Sequence, residues 1–362
     1  MSKQTIFRKL VTDFWSIVCL VFIGVCAFVA LFAYAIAPDN SKQANQMHLP
    51  IHSKPPGFSV QILHLPNKQA EESSFFETFF FGKNTAYDEI PITNYKTDDK
   101  GIYYTLFLPD GSSGETFFVP WQIFTEPSKS EIIHKNIKTK TFWLGTDKYG
   151  RDMLSRMLIG TRISFTIGFV AVTISLIVGI LLGSLAGYYG GRVDALIMWL
   201  INVVWAIPTL LLVIAFTLAL GKGYWQVFVA VGLTMWVEVA RVVRGQIFTL
   251  KKAQFVEAAK VLGFSDIRIL VKHILPNIYA PLIVISAANF ASAILIESGL
   301  SFLGIGSQPP NPSWGSMIKD HYNYIILGKP FLAIIPGLAI MSLVMAFMLL
   351  GNKLRDVLDV RQ

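Results

Sequence analysis

Cysteine is nearly absent from this chain, with only Cys19 and Cys26 among 362 residues. The two lie seven apart in one apolar run, so they build neither a disulfide framework nor a cysteine metal cluster, and read as small packing residues. Charge is scarce as well: 15% of residues are charged against 53% hydrophobic, and the mean hydropathy is +0.52. A soluble domain does not have that balance. No segment carries the phosphate-binding pattern G-x-x-x-x-G-K-S/T. Gly82-Lys83-Asn84 and Gly328-Lys329-Pro330 hold only a fragment of it, which excludes ATP binding of the P-loop kind. Neither a Ser/His/Asp set nor an HExxH pattern is present, so no catalytic residue is assigned and no cofactor is expected. His48, His52, His64 and His134 match no ligand spacing, and the expectation is scattered surface histidines with no metal.

Long hydrophobic runs are what the chain does have. Six occur, at 14–37, 163–187, 195–220, 227–243, 280–299 and 331–351, most of them near the ~20 residues that a spanning helix needs. The fourth is the weakest, being short and carrying Glu238. Backbone groups in lipid must be satisfied internally, and no barrel-like alternation is present, so the expectation is an all-α polytopic membrane protein of about six helices. Ala35-Ile36-Ala37 mimics a signal-peptidase site after a basic start. The run is longer than the roughly 7–15 residues of a signal core, so the helix is expected to be retained.

Charge then orients the spans. Arg241, Arg244, Lys251, Lys252, Lys260, Arg268 and Lys272 fall in one connection, and Lys353, Arg355 and Arg361 in the tail. Short connections on the other side hold only Lys222, Lys319 and Lys329. The positive-inside rule places both termini and the basic connection in the cytoplasm. The net charge of +8 therefore reflects topology, and nucleic-acid binding is not inferred from it.

The organisation expected is a cytoplasmic N-terminus at 1–13, a first transmembrane helix at 14–37 and an extracytoplasmic insert at 38–142. A five-helix core at 143–351 and a cytoplasmic tail at 352–362 follow. Within the insert, 38–56 is rich in Pro, Gln, Asn, Ser and Lys and reads as a tether. Residues 58–63 alternate, and 102–108 runs through Pro109-Asp110-Gly111 into 116–119, a hairpin signature. A small β-rich domain of about 80 residues over 58–140 is expected, large enough to fold alone but only marginally. The aromatic run 75–81 is either local core or a patch on the membrane interface, and core packing is the plainer reading.

Several motifs invite a structural reading first. Gly179, Gly183 and Gly187 recur every four residues, a stripe that lets helices approach closely. Leu144 to Arg156 contains Gly145, Thr146, Asp147, Gly150, Arg151 and Asp152. Thr146 or Asp147 can cap a helix that lies at the membrane interface and leads into the second span. Further on, Pro309, Pro310, Pro312, Trp314 and Gly315 form a rigid loop. Glu238, Asn289 and Glu297 are polar groups inside apolar runs and hence candidates for a solute pathway. Pairing of Glu238 with Arg241 or Arg244, one turn on, is the structural alternative.

The richest stretch is Glu257-Ala258-Ala259-Lys260-Val261-Leu262-Gly263, followed by His273-Ile274-Leu275-Pro276. Residues 255–262 favour a helix, Gly263 supplies a left-handed cap, Ser265 caps a second helix and Pro276 ends it. This pattern, within a loop at 244–279, resembles the EAA loop of binding-protein-dependent ABC importers. The Gly-Thr-Asp-x-x-Gly-Arg-Asp segment is similar to a hallmark of their dipeptide, oligopeptide and nickel branch. So are 297–315 and the closing 354–361 stretch, and the resemblance covers 144–361 almost without gaps.

The resemblance implies the importer type I permease fold. It also implies a second homologous permease, two ABC ATPase subunits, an extracytoplasmic substrate-binding protein and an inner-membrane location. Glu257, Ala258, Ala259, Gly263, His273 and Pro276 would then couple the ATPases to the membrane helices. Peptides lead as cargo, with nickel chelates or another small solute as the alternative. Val237-Glu238-Val239 and the large insert depart from the family pattern. An ion-driven secondary transporter would need more paired intramembrane acids, and a membrane-anchored sensor would need only one span.

Overall fold

The computed structural model describes residues 12–67, 74–84, 87–221 and 223–358. The basic N-terminal start, Lys222 and the closing Asp359-Val360-Arg361 lie outside the described residues. Two compact units emerge: Phe28–Ile163 with Pro309–Gly337, and Met1–Ala27 with Ser164–Gln308 and Leu338–Gln362.

In chain order, α1 (Phe14–Ile36) is the first helical run long and apolar enough to cross a bilayer. The insert follows, with β1 (Phe58–Pro66), α2 (Phe75–Phe81), β2 (Tyr87–Thr97), β3 (Gly101–Phe107), β4 (Ser113–Pro120), α3 (Lys129–Asn136) and β5 (Ile137–Phe142). Its five strands form one sheet in the order β4-β3-β2-β1-β5, all pairings antiparallel. The expected hairpin is β3–β4, and the expected alternating strand is the start of β1.

Two readings of the insert need correction. Residues 38–56 are not a loose tether: Asp39, His48 and Ile51 are buried, and Ile51 packs with Val60, Ile62 and Phe142. Low hydrophobicity there reflects buried polar pairing rather than solvation. The aromatic run forms α2, but Phe76, Phe80 and Phe81 are exposed instead of forming a core. Seven residues of helix cannot turn this many rings inward at once.

After the insert come α4 (Met153–Tyr189), α5 (Gly191–Trp205), α6 (Thr209–Leu220) and α7 (Tyr224–Leu250). The single span expected at 195–220 is instead a bent pair, α5 and α6 meeting at 92°. Pro208 lies at the break with extended ψ of 126° and has no N–H to continue the ladder. The weakest expected span becomes α7, 27 residues long and well packed. The glycine stripe of α4 explains that packing. A Cβ would lie 2.5 Å from Val239 Cβ at Gly179, 2.5 Å from the Ala240 carbonyl oxygen at Gly183 and 2.8 Å from that of Arg244 at Gly187.

The short helices α8 (Gln254–Val261) and α9 (Asp266–Ile269) precede α10 (Tyr279–Phe302), α11 (Trp314–His321) and α12 (Phe331–Leu358). Pro276 does not end a helix as its ring chemistry suggests. A π turn at Leu270–Ile274 and a 3-10 turn at Leu275–Ile278 place it at the start of a turn, where no N–H is required. Asp266–Phe302 is thereby one continuous helical run. With α1, α4, α7 and α12 there are five such runs among the described residues, or six counting the bent pair.

Candidate functional site

The loop between α7 and α10 is built on a buried seam. Val256 and Ala259, three apart on α8, are both buried and join a core with Val243, Ile247, Ile269, Ile274 and Ile278. The small side chain of Ala259 lets α8 lie close to that core. Glu257, Ala258 and Lys260 face outward.

At the helix end, Gly263 takes φ +77° with no atom within 4 Å of a would-be Cβ, so backbone conformation alone calls for glycine there. The Phe264 N–H donates to the Ala259 carbonyl at 3.1 Å and the Gly263 N–H to that of Lys260 at 2.9 Å. These two bonds are the Schellman arrangement, which satisfies carbonyls that a helix end otherwise leaves open. Ser265 precedes α9 with extended backbone, though no hydrogen bond from its side chain caps that helix.

Two contacts hold the loop to α4. Tyr188 of α4 donates its hydroxyl to Asp266 at 2.6 Å, and Lys251 donates to the Tyr188 carbonyl. Within the loop, Phe264 stacks on His273 at 5.7 Å and 16°, and the Arg268 guanidinium lies 4.3 Å over the Phe264 ring. What remains outward is an apolar tip, Val261, Leu262 and Ile267, each more than 70% exposed, rimmed by Glu257, Lys260 and Arg268. Such a tip, on a capped corner joined without a break to α10, can receive a push and pass it to the helix.

Sequence reasoning missed the supports Tyr188, Asp194 and Asp266. Arg244 binds Asp194 of α5 through two bonds of 2.5 and 2.6 Å. These partners stand 50 and 78 residues apart in the chain, so no local pattern announces them. Glu238 is therefore not held by Arg244, and Arg241 lies 3.5 Å over the Trp205 ring. Glu238 is exposed, with no ion pair among the described residues. Glu297 is buried, accepts from Ser301 at 2.6 Å, and Ser301 in turn accepts from the Ser307 N–H at 3.0 Å. It braces the turn after α10. Asn289 is buried in α10.

The second motif is a buried lock. Thr146 and Asp147 are wholly buried, and Arg151 and Asp152 nearly so. Thr146 donates to the Ile51 carbonyl at 2.5 Å and accepts from Lys54 N–H at 2.9 Å. Asp147 accepts from the backbone of Tyr149 and Arg151 and from Arg151 Nε at 2.6 Å, while Arg151 reaches Asn45 at 2.9 Å. Neither Thr146 nor Asp147 caps α4. That falls to Asp152, which accepts from the Ser155 N–H at 2.9 Å. Burial pushes the Asp152 carboxyl above its ordinary range, more than the Ser155 bonds draw it down. Gly145 and Gly150 both have positive φ, and a Cβ on Gly150 would sit 1.8 Å from the His48 carbonyl oxygen.

The lock takes in the later loop. Trp314 and Gly315 are buried while Pro309 and Pro310 are exposed. Trp314 Nε1 donates to the Met157 carbonyl at 3.1 Å, and its ring fills the space that Gly160 leaves open. Lys148 pairs with Asp320 at 3.1 Å, and its N–H donates to His321 Nε2 at 3.3 Å. His321 Nδ1 lies 2.7 Å from the Met317 carbonyl, to which it donates as the neutral tautomer. Burial pushes the His321 ring towards that neutral form.

The histidines are not all scattered surface residues. His48 is buried, and Glu89 collects His48 at 3.1 Å, His64 at 3.6 Å and Lys140 at 2.6 Å. Burial alone would raise the Glu89 carboxyl, but the hydrogen bonds from His48 and His64 and the charge of Lys140 outweigh it, holding the carboxyl well below its usual range. No group of three or more His, Cys, Asp or Glu that could hold a metal ion occurs among the described residues.

Residues 179–361 match the family described as binding-protein-dependent transport system inner membrane component. A glutathione transport system permease protein GsiD from Pectobacterium atrosepticum is 42% identical over 217 residues, 60% of this chain and 72% of that one. A dipeptide transport system permease protein DppC from Alkalihalophilus pseudofirmus is 41% identical over 217 residues, 60% and 71% of the two chains. Among solved structures, an inward-facing MetNI methionine ABC transporter aligns with a TM-score of 0.47 at 18% identity, over 57% of this chain and 97% of that one.

Proposed function

Because this chain belongs to the family of binding-protein-dependent transport system inner membrane components and is an ABC importer permease, we propose that its cargo is a short peptide and that the loop at 244–279 is its coupling element. Relatives named for glutathione and dipeptide transport support a peptidic cargo. The observation that carries the coupling role is the exposed tip of Val261, Leu262 and Ile267 on a corner fixed by Gly263 and clipped by Tyr188 to Asp266.

In this reading both termini and the coupling loop lie in the cytoplasm and the insert lies outside. A loaded extracytoplasmic binding protein docks outside, and ATP binding closes two separate ATPase subunits. Their surfaces take up the apolar tip, and α7 and α10 rock with it. A second, homologous permease completes the pathway, and Glu238, exposed among buried neighbours Val237 and Val239, faces that pathway or that partner. Catalysis stays in the ATPases.

Affinity purification of the tagged chain from its native membrane tests the proposal. The expected companions are an ATPase and a second permease in stoichiometric amounts. A chain that purifies without any ATPase, yet transports peptide in liposomes on an ion gradient alone, contradicts it.

A further inference from the structure

The short helix α2 belongs to neither the coupling loop nor the buried lock. Phe76, Phe80 and Phe81 are 72%, 40% and 62% exposed. The helix is fastened at its other side. Phe79 meets Phe32 of α1 edge-on at 5.6 Å, and Phe32 meets Phe28 at 4.7 Å. Gly82, with φ +87°, follows the helix so closely against the end of α1 that a Cβ there would lie 2.8 Å from the Tyr34 ring. The Lys83 N–H then donates to the Asn40 carbonyl at 2.8 Å.

These contacts join two exposed apolar surfaces into one. Phe28, Leu31 and Ile36 are exposed on α1, where a spanning helix meets acyl chains, and the ladder Phe28, Phe32, Phe79, Phe80 continues that surface onto α2. Polar partners mark the depth. Arg162 donates to the Phe80 carbonyl at 2.6 Å and lies 5.6 Å over both the Tyr34 and Phe80 rings. Glu77, between the exposed rings, is neutralised by Lys42 at 3.3 Å. Aromatic rings with a guanidinium and a compensated carboxylate suit the headgroup–acyl boundary, where one end of each group is apolar and the other wet. Helices lying in that plane bury rings to a shallow depth and keep charges at the edge.

We propose that α2 is an interfacial foot, its Phe76, Phe80 and Phe81 resting in the bilayer at the C-terminal end of α1. The foot fixes the root of the insert to the lipid surface. The inference rests on the reading that α1 crosses the membrane, and the test separates the two.

Full-length chain with Cys19→Ala and Cys26→Ala is assembled with its partners in phosphatidylcholine–phosphatidylglycerol nanodiscs. Single spin labels are placed through Phe76→Cys, Phe80→Cys or Phe81→Cys, with Val25→Cys on α1 and Ser112→Cys in the β3–β4 turn as references. Collision rates are measured with oxygen, which concentrates in lipid, and with a water-soluble nickel chelate. The expected oxygen-to-nickel ratio at 76 and 80 is several-fold above that at 112 and below that at 25. A ratio at 76 and 80 equal to that at 112 places the rings in water and overturns the foot. Exclusion of both probes there means that a protein partner covers the rings, which overturns it too. A low ratio at Val25 removes the spanning reading of α1, and the foot with it.

Discussion

Gly150 and Gly263 have positive φ for different reasons, and the difference decides what a substitution does. Around Gly263 a side chain meets nothing, so its replacement strains only the backbone, by about 1–2 kcal/mol. At Gly150 the same strain is joined by a clash with the His48 carbonyl, 1.8 Å from a Cβ. Gly150→Ala is expected to destabilise the lock by about 2–4 kcal/mol, read as a lower thermal midpoint of the purified protein with unchanged membrane insertion. An unchanged midpoint would mean that the loop relaxes freely. Gly263 was legible because a helix-forming run followed by glycine is a local signal. The role of Gly150 was not, since its neighbour His48 is 102 residues away.

At the scale of elements, local rules served where packing agreed with them and failed where distant partners intervened. Five of the six apolar runs lie in helices long and apolar enough to cross a bilayer, because length and hydropathy are intrinsic to the segment. Pro276 is the proline expected to end its helix and 195–220 the run expected to stay straight, yet Pro208 lies at the 92° bend of that run while Pro276 is absorbed by π and 3-10 turns against the buried Ile274 and Ile278. The polar stretch 38–56 lacked the apolar pattern that would have marked it as structured, because its order comes from Asn45–Arg151 and His48–Glu89 pairings.

Glu89 also makes the sheet sensitive to acid. Its carboxyl titrates lower in the fold than in the unfolded chain, so the stability it contributes is present above the unfolded value of ~4.3. That stability is lost as pH falls through the lower folded value. Hydrogen exchange of the β1, β2 and β5 amides, compared between wild type and Glu89→Gln, is expected to show a protection gap at pH 6–7 that narrows below about pH 4. A gap independent of pH would show that the variant acts through lost shape alone.

For the whole molecule, orientation and coupling stand together. A cysteine at Ser112, in the Cys19→Ala and Cys26→Ala background, is expected to react with an impermeant maleimide from outside intact cells. One at Ser265 is expected to react only after lysis, and the reverse pattern inverts the topology. The coupling loop itself is tested most directly by ATP hydrolysis in the reconstituted complex of permeases, ATPases and loaded binding protein. Glu257→Lys reverses the charge at the rim of the apolar tip, and Gly263→Val distorts the corner that holds it. Both are expected to assemble and insert normally but to lose most of the stimulation of ATPase rate by loaded binding protein. Full stimulation in both variants would contradict the assignment of 244–279 as the element that joins the ATPases to the membrane helices.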